Sequence, residues 1–215
     1  MALVKICGIT SVEDARAAIA AGADMLGFNF YRASPRFVEP QIVKKIIETL
    51  RGETPNQPVT LVGVFVNESS PDSVIGVVGE AGVGAVQLHG DESAEFCQRL
   101  KQLLHGKFLI KALRVTDTFA PAETESYDAD AIMLDAFHGE MRGGTGRVFD
   151  WSIARSTREL VSRLFLAGGL SPGNVARAIA QVQPYAVDAC SSLESSPGRK
   201  DAARMKAFVQ AVRNG

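Results

Sequence analysis

Residues 3–21, LVKICGITSVEDARAAIAA, contain the structural unit that is repeated along the rest of the chain. A short apolar run, Leu3–Cys7, is followed by a turn at Gly8 and then by an alanine-rich stretch with helical spacing. Ser11 is positioned as the N-cap of that helix, and Gly22 follows it as a stop signal. A strand, a turn and a helix in this order predict one unit of a parallel α/β fold.

The same unit occurs eight times in all within the 215 residues. Apolar runs without two-residue alternation, each followed by a helical pattern, indicate a parallel sheet that is covered by helices. Eight units favour a closed (β/α)8 barrel, the TIM barrel, formed as a single domain over residues 1–215. An open doubly wound sheet accounts for the alternation nearly as well, but its GxGxxG turn after the first strand is absent.

The predicted strands are short and apolar, and helical patterns of ordinary length lie between them. Only the pattern of Asp117–Glu125 is weak, because Pro121 interrupts it. The predicted strands are Leu3–Cys7, Met25–Phe30, Thr60–Val66, Ala85–Leu88, Phe108–Ala112, Ala131–Leu134, Leu164–Ala167 and Tyr185–Val187.

The composition argues against several classes of protein. The 23 basic and 24 acidic residues nearly balance, which argues against nucleic-acid or membrane-surface binding through bulk charge. No apolar stretch approaches the roughly 20 residues of a membrane helix, and no secretory signal is visible. The 3 cysteines are odd in number and widely spaced, so we expect reduced thiols in a cytosolic protein. The 3 histidines lack metal-binding spacing, so the sequence predicts no catalytic metal.

Polar residues follow the predicted strands, at the edge where a parallel barrel binds its ligands. Cys7 ends the first strand, and its thiolate would act as a base or nucleophile, whereas a buried thiol would only pack. Asp135 follows the sixth strand, where it would act as a general acid or cap a turn. Arg36 suits a bidentate pair with a substrate carboxylate or a surface salt bridge. Asp188 would orient sugar hydroxyls or cap the last loop.

Two loops suit a phosphate group. Gly168-Gly169 and Ser191-Ser192 follow the seventh and eighth strands, where this fold commonly holds phosphate through backbone N–H groups and hydroxyls. A tight turn and two N-caps are the alternative, but the paired position of the loops favours phosphate. A glycine-rich segment after the sixth strand is predicted to close over a ligand, or else to be only a mobile loop. That segment consists of Gly143, Gly144, Thr145 and Gly146.

An ordered set of motifs resembles the phosphoribosylanthranilate isomerases, which are barrel enzymes of tryptophan biosynthesis. The motifs run from near the first residue to the last helix, so the resemblance covers essentially the whole chain. They are Val4–Thr10, Ser34–Arg36, Gly63–Asn67, Val86–Gly90, Leu134–Ala136, Gly143–Gly146, Phe149–Trp151, Leu166–Leu170 and Gly198–Asp201.

The resemblance implies an Amadori rearrangement of N-(5-phosphoribosyl)anthranilate to the carboxyphenylamino-deoxyribulose phosphate, catalysed by acid and base without a cofactor. Such an enzyme is an intramolecular oxidoreductase of the aldose–ketose type. The resemblance assigns Cys7 as the general base and Asp135 as the general acid, and it pairs Arg36 with the anthranilate carboxylate. Gln87 and Asp188 would contact the substrate, and the loops near Gly169 and Ser191 would hold its phosphate.

The resemblance further implies a small-molecule substrate, no nucleic-acid or membrane partner, a cytoplasmic location, and a monomer or homodimer. Two other functions are less well supported. A related phosphosugar isomerase of histidine biosynthesis usually has an aspartate at the position of Cys7. A catalytically inactive phosphosugar-binding barrel would have lost the catalytic pair.

The segment after the eighth strand departs from the family pattern. The family usually reads VDVSSGVE, where this chain has VDACSSLE at residues 187–194. Ser192 replaces a glycine, which predicts a strained turn or an altered phosphate contact. Cys190 replaces a serine and is a poorer hydrogen-bond donor.

Overall fold

The computed structural model describes residues 1–53, 58–136 and 150–215. Its centre is a closed barrel of eight parallel strands, in which each strand pairs with the next and the eighth pairs with the first. The predicted barrel is therefore confirmed, and the open doubly wound sheet is wrong. The strands are β1 (Leu3–Cys7), β2 (Met25–Asn29), β3 (Thr60–Phe65), β4 (Ala85–Leu88), β5 (Phe108–Val115), β6 (Ala131–Ala136), β7 (Leu164–Leu166) and β8 (Ala186–Ala189).

Helices pack around the outside of the barrel, and side-chain oxygens cap most of their N-termini. Ser11, Ser70, Ser93, Asp150 and Asp201 each accept a hydrogen bond from a backbone N–H group in the first turn. The predicted N-cap at Ser11 is thus confirmed. The α-helices are α1 (Val12–Ala21), α2 (Pro40–Glu53), α3 (Pro71–Ala81), α4 (Ala94–Leu103), α5 (Trp151–Leu160), α6 (Val175–Val182) and α7 (Ala202–Asn214).

The connection from β5 to β6 contains a short 3-10 helix, Pro121–Ser126, where the other units have an α-helix. Proline occupies its first turn, where a missing N–H group is tolerated. The weakness of the predicted helix in this segment is therefore confirmed. An unpredicted hairpin also follows β8, formed by β9 (Glu194–Ser196) and β10 (Arg199–Lys200).

Two apolar layers lie on the two sides of the barrel wall. The larger layer fills the space between the strands and the helices. The smaller layer fills the barrel interior, so the barrel is a packed core with its opening at the ends of the strands. Residues of the inner layer include Met25, Val62, Ala85, Ile110, Met133, Phe165 and Ala186.

Candidate active site

A cavity of about 370 Å³ lies at the C-terminal end of the barrel. All of the predicted site residues that the structure describes line it, except Gln87. Two larger cavities lie elsewhere: one of about 710 Å³ between α5 and α6, and one of about 810 Å³ at the opposite end of the barrel. Neither is lined by a predicted site residue. Residues that line the cavity are Cys7, Arg36, Asp135, Gly168, Gly169, Asp188, Ser191 and Ser192. The predicted lid, Gly143–Gly146, lies outside the described residues.

Cys7 lies at the end of β1, where the neighbouring strand leaves room for its thiol. Gly27 of β2 pairs with Cys7, and a Cβ atom on residue 27 would lie only 2.8 Å from the Cys7 Sγ atom. A hydrogen bond from Cys190 lowers the pKa of Cys7 well below its ordinary value. Burial acts in the opposite direction, but the positive charges of Lys5 and Lys200 also favour the thiolate. Cys7 is therefore suited to act as a base.

Asp188 forms a buried ion pair with Lys5, two residues before Cys7 on β1. The Lys5 Nζ atom lies 2.9 Å from the Asp188 Oδ1 atom, and Lys5 is fully buried. The prediction that Asp188 follows the strand is wrong, because β8 extends to Ala189 and includes it. A carboxylate can occupy this strand because the opposite charge on β1 compensates for its burial. Burial raises the pKa of Asp188 to about 6, although Lys5 partly offsets the effect.

Asp135 is the last but one residue of β6 and contacts His89 at the end of β4. The Asp135 Oδ2 atom lies 3.0 Å from His89 Nε2, and Gln87 Nε2 lies 2.6 Å from His89 Nδ1. Burial lowers the pKa of His89, but the hydrogen bond and negative charge of Asp135 outweigh burial and raise it. His89 lines the cavity and was absent from the predicted site. The sequence signals for His89 were its position directly after a predicted strand and its place in the motif Val86–Gly90.

Gln87 does not reach the cavity. It is fully buried within β4, and its Nε2 atom contacts His89 Nδ1, so its contact with the substrate stays a prediction. Its Oε1 atom is buried and has no hydrogen-bond partner within the described part of the chain. Gln87 therefore contacts one ring nitrogen of His89 while Asp135 contacts the other.

Arg36 lies at the cavity, but its guanidinium group is paired with a carboxylate of the chain itself. Glu194 accepts two hydrogen bonds from Arg36, at 2.8 Å from Nε and 2.6 Å from Nη2. Lys200 Nζ lies 2.8 Å from the same carboxylate. Burial raises the pKa of Glu194, but these two cations outweigh it and hold the pKa below its ordinary value. Only the Nη1 atom of Arg36 is free of hydrogen bonds within residues 1–53, 58–136 and 150–215.

The loops after β7 and β8 form a site with free N–H groups. Gly168 and Gly169 have φ angles of 81° and 68°, a left-handed conformation that favours glycine. Among the described residues, their amide groups donate no hydrogen bond. Ser191 begins a short 3-10 helix, Ser191–Leu193, and its side chain borders the same space. Free N–H groups beside a hydroxyl are suited to an anion.

Ser192 ties these two loops together. Its Oγ atom donates a hydrogen bond to the Leu170 carbonyl oxygen at 2.5 Å. The predicted strain at this position is wrong, because Ser192 lies in a 3-10 turn and not in the left-handed region. Since its hydroxyl proton is already donated, Ser192 adds rigidity to the loop and no side-chain donor.

Two further properties concern the whole described part of the chain. Residues 1–53, 58–136 and 150–215 contain no helix that is long and apolar enough to cross a membrane. In the same residues, no group of three or more His, Cys, Asp or Glu side chains is arranged to hold a metal ion.

A (β/α)8 barrel with a thiol, carboxylates and an imidazole around one C-terminal cavity belongs to the class of barrel enzymes that perform acid–base chemistry on small ligands. Comparison with known proteins defines the family within that class. The model of the N-(5'-phosphoribosyl)anthranilate isomerase family matches residues 4–211.

Relatives of known family match this chain over nearly its full length. The N-(5'-phosphoribosyl)anthranilate isomerase of Trichlorobacter lovleyi is 45% identical over 210 residues, which are 98% of this chain and 97% of that protein. The crystal structure of phosphoribosyl anthranilate isomerase from Thermotoga maritima has a TM-score of 0.86 and 38% identity, with 100% of both chains covered. A structure of such an enzyme with reduced 1-(o-carboxyphenylamino)-1-deoxyribulose 5-phosphate has a TM-score of 0.83 and 36% identity, again with 100% of both chains covered.

The chain therefore belongs to the N-(5'-phosphoribosyl)anthranilate isomerase family. It is an aldose–ketose isomerase of tryptophan biosynthesis, and the resemblance found in its motifs is confirmed.

Proposed function

We propose that the isomerisation takes place in the cavity at the C-terminal end of the barrel, with Cys7 as the general base and Asp135 as the general acid. The observation that carries this proposal is that both side chains face one cavity, together with the Gly168-Gly169 turn. Its volume of about 370 Å³ falls within the range of pockets that hold small ligands.

Asp135 opens the sugar ring. A proton passes from its carboxyl group to the ring oxygen, the bond from that oxygen to C1 breaks, and the anthranilate nitrogen donates its lone pair to form a Schiff base. The contact between Asp135 Oδ2 and His89 Nε2 orients the carboxyl group. Burial lowers the pKa of His89, but the hydrogen bond and negative charge of Asp135 outweigh it and raise the pKa, which favours a protonated imidazole next to the carboxyl group.

Cys7 completes the rearrangement. Its thiolate removes the proton from C2 of the open-chain sugar, and the electron pair moves toward the positively charged nitrogen to give an enolamine. The enolamine then tautomerises to the ketone. The nitrogen of the substrate is the electron sink, so we expect no cofactor. The lowered pKa of Cys7 makes the required thiolate available.

The remaining cavity residues bind the substrate. The free N–H groups of Gly168 and Gly169 and the hydroxyl of Ser191 hold the phosphate, while Ser192 contributes through its backbone. Arg36 binds the anthranilate carboxylate through Nη1, the nitrogen that Glu194 leaves free.

A coupled fluorescence assay tests the proposal. Anthranilate and phosphoribosyl pyrophosphate are converted in place by the matching transferase, and the loss of phosphoribosylanthranilate is followed after this chain is added. Cys7→Ala and Asp135→Asn are each expected to lower kcat by about 100-fold or more. Cys97→Ala and Asp128→Asn are the matched controls, since neither residue lines the cavity, and both should stay close to the unmodified chain.

Circular dichroism would show that each variant is folded. Near-normal turnover by folded Cys7→Ala or Asp135→Asn would remove that residue from the mechanism. No acceleration by the unmodified chain, together with retained binding of the product, would favour the inactive phosphosugar-binding barrel.

We also propose that residues 1–215 fold as one domain and that the chain works in the cytoplasm on this small-molecule substrate, as a monomer or homodimer. A single cooperative unfolding transition is expected for one domain. Light scattering after size-exclusion chromatography would distinguish the monomer from the dimer.

A further inference from the structure

Cys7 has a second thiol as its neighbour across the seam that closes the barrel. In the pairing of β1 with β8, Lys5 lies opposite Asp188 and Ile6 lies opposite Ala189. Cys7 and Cys190 are the next residues of the two segments, and Cys190 lies directly after the end of β8. Adjacent strands lie about 4.8 Å apart. The Cα atoms of disulfide-bonded cysteines lie about 4.4–6.8 Å apart. Extension of the register by one residue gives the two cysteines a separation that a disulfide can bridge.

The side chains approach each other as the register predicts. Both thiols line the same cavity, and interaction with Cys190 lowers the pKa of Cys7. The Cys190 Sγ atom lies over Gly8, where an added Cβ atom would meet it at 2.9 Å. Both cysteines are partly exposed, so a small reagent in the cavity can reach them. Cys97 is fully buried and does not line the cavity.

Positive charge surrounds this pair of thiols. Lys200 Nζ lies 3.7 Å from the Cys190 Sγ atom, and the Lys5 ammonium group favours the thiolate form of Cys7. A thiolate that is stabilised by cations and is reachable from solvent is the reactive partner in thiol–disulfide exchange.

We propose that Cys7 and Cys190 are a modification site, which a small-molecule disulfide such as oxidised glutathione converts to a reversible intramolecular disulfide. The bond itself depends only on the geometry of the two thiols. Loss of activity on its formation rests on the proposed function, because the Cys7 sulfur in a disulfide can no longer accept a proton.

The exchange takes place in two balanced steps. The Cys7 thiolate attacks one sulfur of the reagent, the reagent's sulfur–sulfur bond breaks, and one glutathione thiolate leaves. Cys190 then gives up its proton, and its sulfur attacks the Cys7 sulfur and displaces the second glutathione as a thiolate. Two protein thiols are oxidised, and one glutathione disulfide is reduced to two thiols.

The test treats the reduced full-length chain with oxidised glutathione and then blocks the remaining thiols under acidic conditions. We expect the intact mass to fall by two hydrogen atoms, with the peptides of Cys7 and Cys190 joined. Activity should fall in proportion to the fraction of joined peptides, and dithiothreitol should restore both the mass and the activity.

Two variants are controls, each compared with its own reduced form. Cys190→Ser should form no internal disulfide and should instead gain one glutathionyl group at Cys7. Cys97→Ser should behave as the unmodified chain does.

Three outcomes would overturn the proposal: a stable glutathione adduct on Cys7 in the unmodified chain, a disulfide that includes Cys97, or no change in mass. A Cys7–Cys190 disulfide with full activity would support the modification site and contradict the assignment of Cys7 as the base. The mass measurement therefore separates failure of this proposal from failure of the proposed function.

Discussion

At the scale of single residues, the pKa of Cys7 depends on its burial and on the hydrogen bond and charges of its neighbours. Burial alone would raise its pKa and keep the thiol protonated. The hydrogen bond from Cys190 and the ammonium groups of Lys5 and Lys200 reverse that effect. The thiolate form of Cys7 is thus stabilised by Lys5 on the same strand and by two groups that are distant in sequence, Cys190 and Lys200.

Replacement of Cys190 should change the pH dependence of the reaction. In Cys190→Ala the hydrogen-bond donor is lost, so the pKa of Cys7 rises toward its ordinary value and the thiolate forms only at higher pH. The acidic limb of the kcat/KM profile should therefore move to higher pH, as measured over the range from mildly acidic to alkaline buffer. Cys190→Ser, which keeps a donor, should lie closer to the unmodified chain. Coinciding profiles for the alanine variant and the unmodified chain would contradict this account.

The two serines of the phosphate loop should respond differently to truncation. Ser191→Ala removes a hydroxyl that is available to the phosphate, and KM should rise about tenfold or more, because a hydrogen bond to a charged group is lost. Ser192→Ala breaks the hydrogen bond to Leu170 and should lower the free energy of unfolding by about 1 kcal/mol with little change in KM. Steady-state kinetics and urea denaturation measure the two effects. A larger KM effect in Ser192→Ala would reverse the assignment.

At the scale of elements, the contact between β1 and β2 determines whether the Cys7 thiol can occupy its position. Gly27 provides space in three directions, since a Cβ atom there would lie 2.8 Å from the Cys7 Sγ atom and 3.1 Å from both the Cys7 Cα atom and the Lys5 Nζ atom. The absence of a side chain at Gly27 on β2 therefore leaves space for the side chains of Cys7 and Lys5 on β1.

Gly27→Ala is expected to displace the Cys7 thiol. The displacement should lower kcat by about 100-fold, because a misplacement of roughly 1 Å has that effect on a catalytic group. It should also destabilise the fold by about 1–3 kcal/mol through overpacking. Gly79→Ala is the matched control, because Gly79 lies in α3 with no atom near the added methyl group. There we expect normal kinetics and a gain of about 0.5–1 kcal/mol, with kinetics and thermal unfolding as the measurements.

At the scale of the whole molecule, buried charges join elements from opposite ends of the chain. Lys5 and Asp188 connect β1 with β8 at the seam where the barrel closes, and they are 183 residues apart. Arg36 and Glu194 connect the loop after β2 with the start of β9 across 158 residues. One member of each pair, Asp188 or Arg36, lines the cavity, so these long-range pairs also position residues of the candidate site.

Removal of one partner of the seam pair should be more damaging than removal of both. Asp188→Ala leaves Lys5 buried without its counter-charge and should destabilise the chain by about 3–5 kcal/mol. The double variant Lys5→Met with Asp188→Ala should recover much of that loss, because no uncompensated charge stays buried. Urea denaturation of the two single variants and the double variant completes the cycle. Strictly additive effects would show that the two residues are not coupled.

Most of the fold and much of the site could be predicted from local patterns. Apolar runs, caps and turn glycines act over a few residues, so the sequence alone determined the eight βα units and their order. It also determined that Cys7, Arg36, Asp135 and the phosphate loops belong to one edge, since the C-terminal ends of parallel strands always meet there.

The pairings within that edge were decided only by the tertiary structure. His89, directly after β4, contacts Asp135 on β6, and Gln87 contacts the other ring nitrogen of His89, because closure of the barrel brings side chains from non-adjacent strands to one end of its interior. Asp188 can lie inside β8 because Lys5 on β1 compensates its charge. Lys5 is distant in sequence, so this pairing could not be predicted. Hydrogen bonds and ion pairs act over a few ångströms of space. Residues that are far apart in sequence come within that range only when the barrel closes, so these contacts could not be predicted from the sequence.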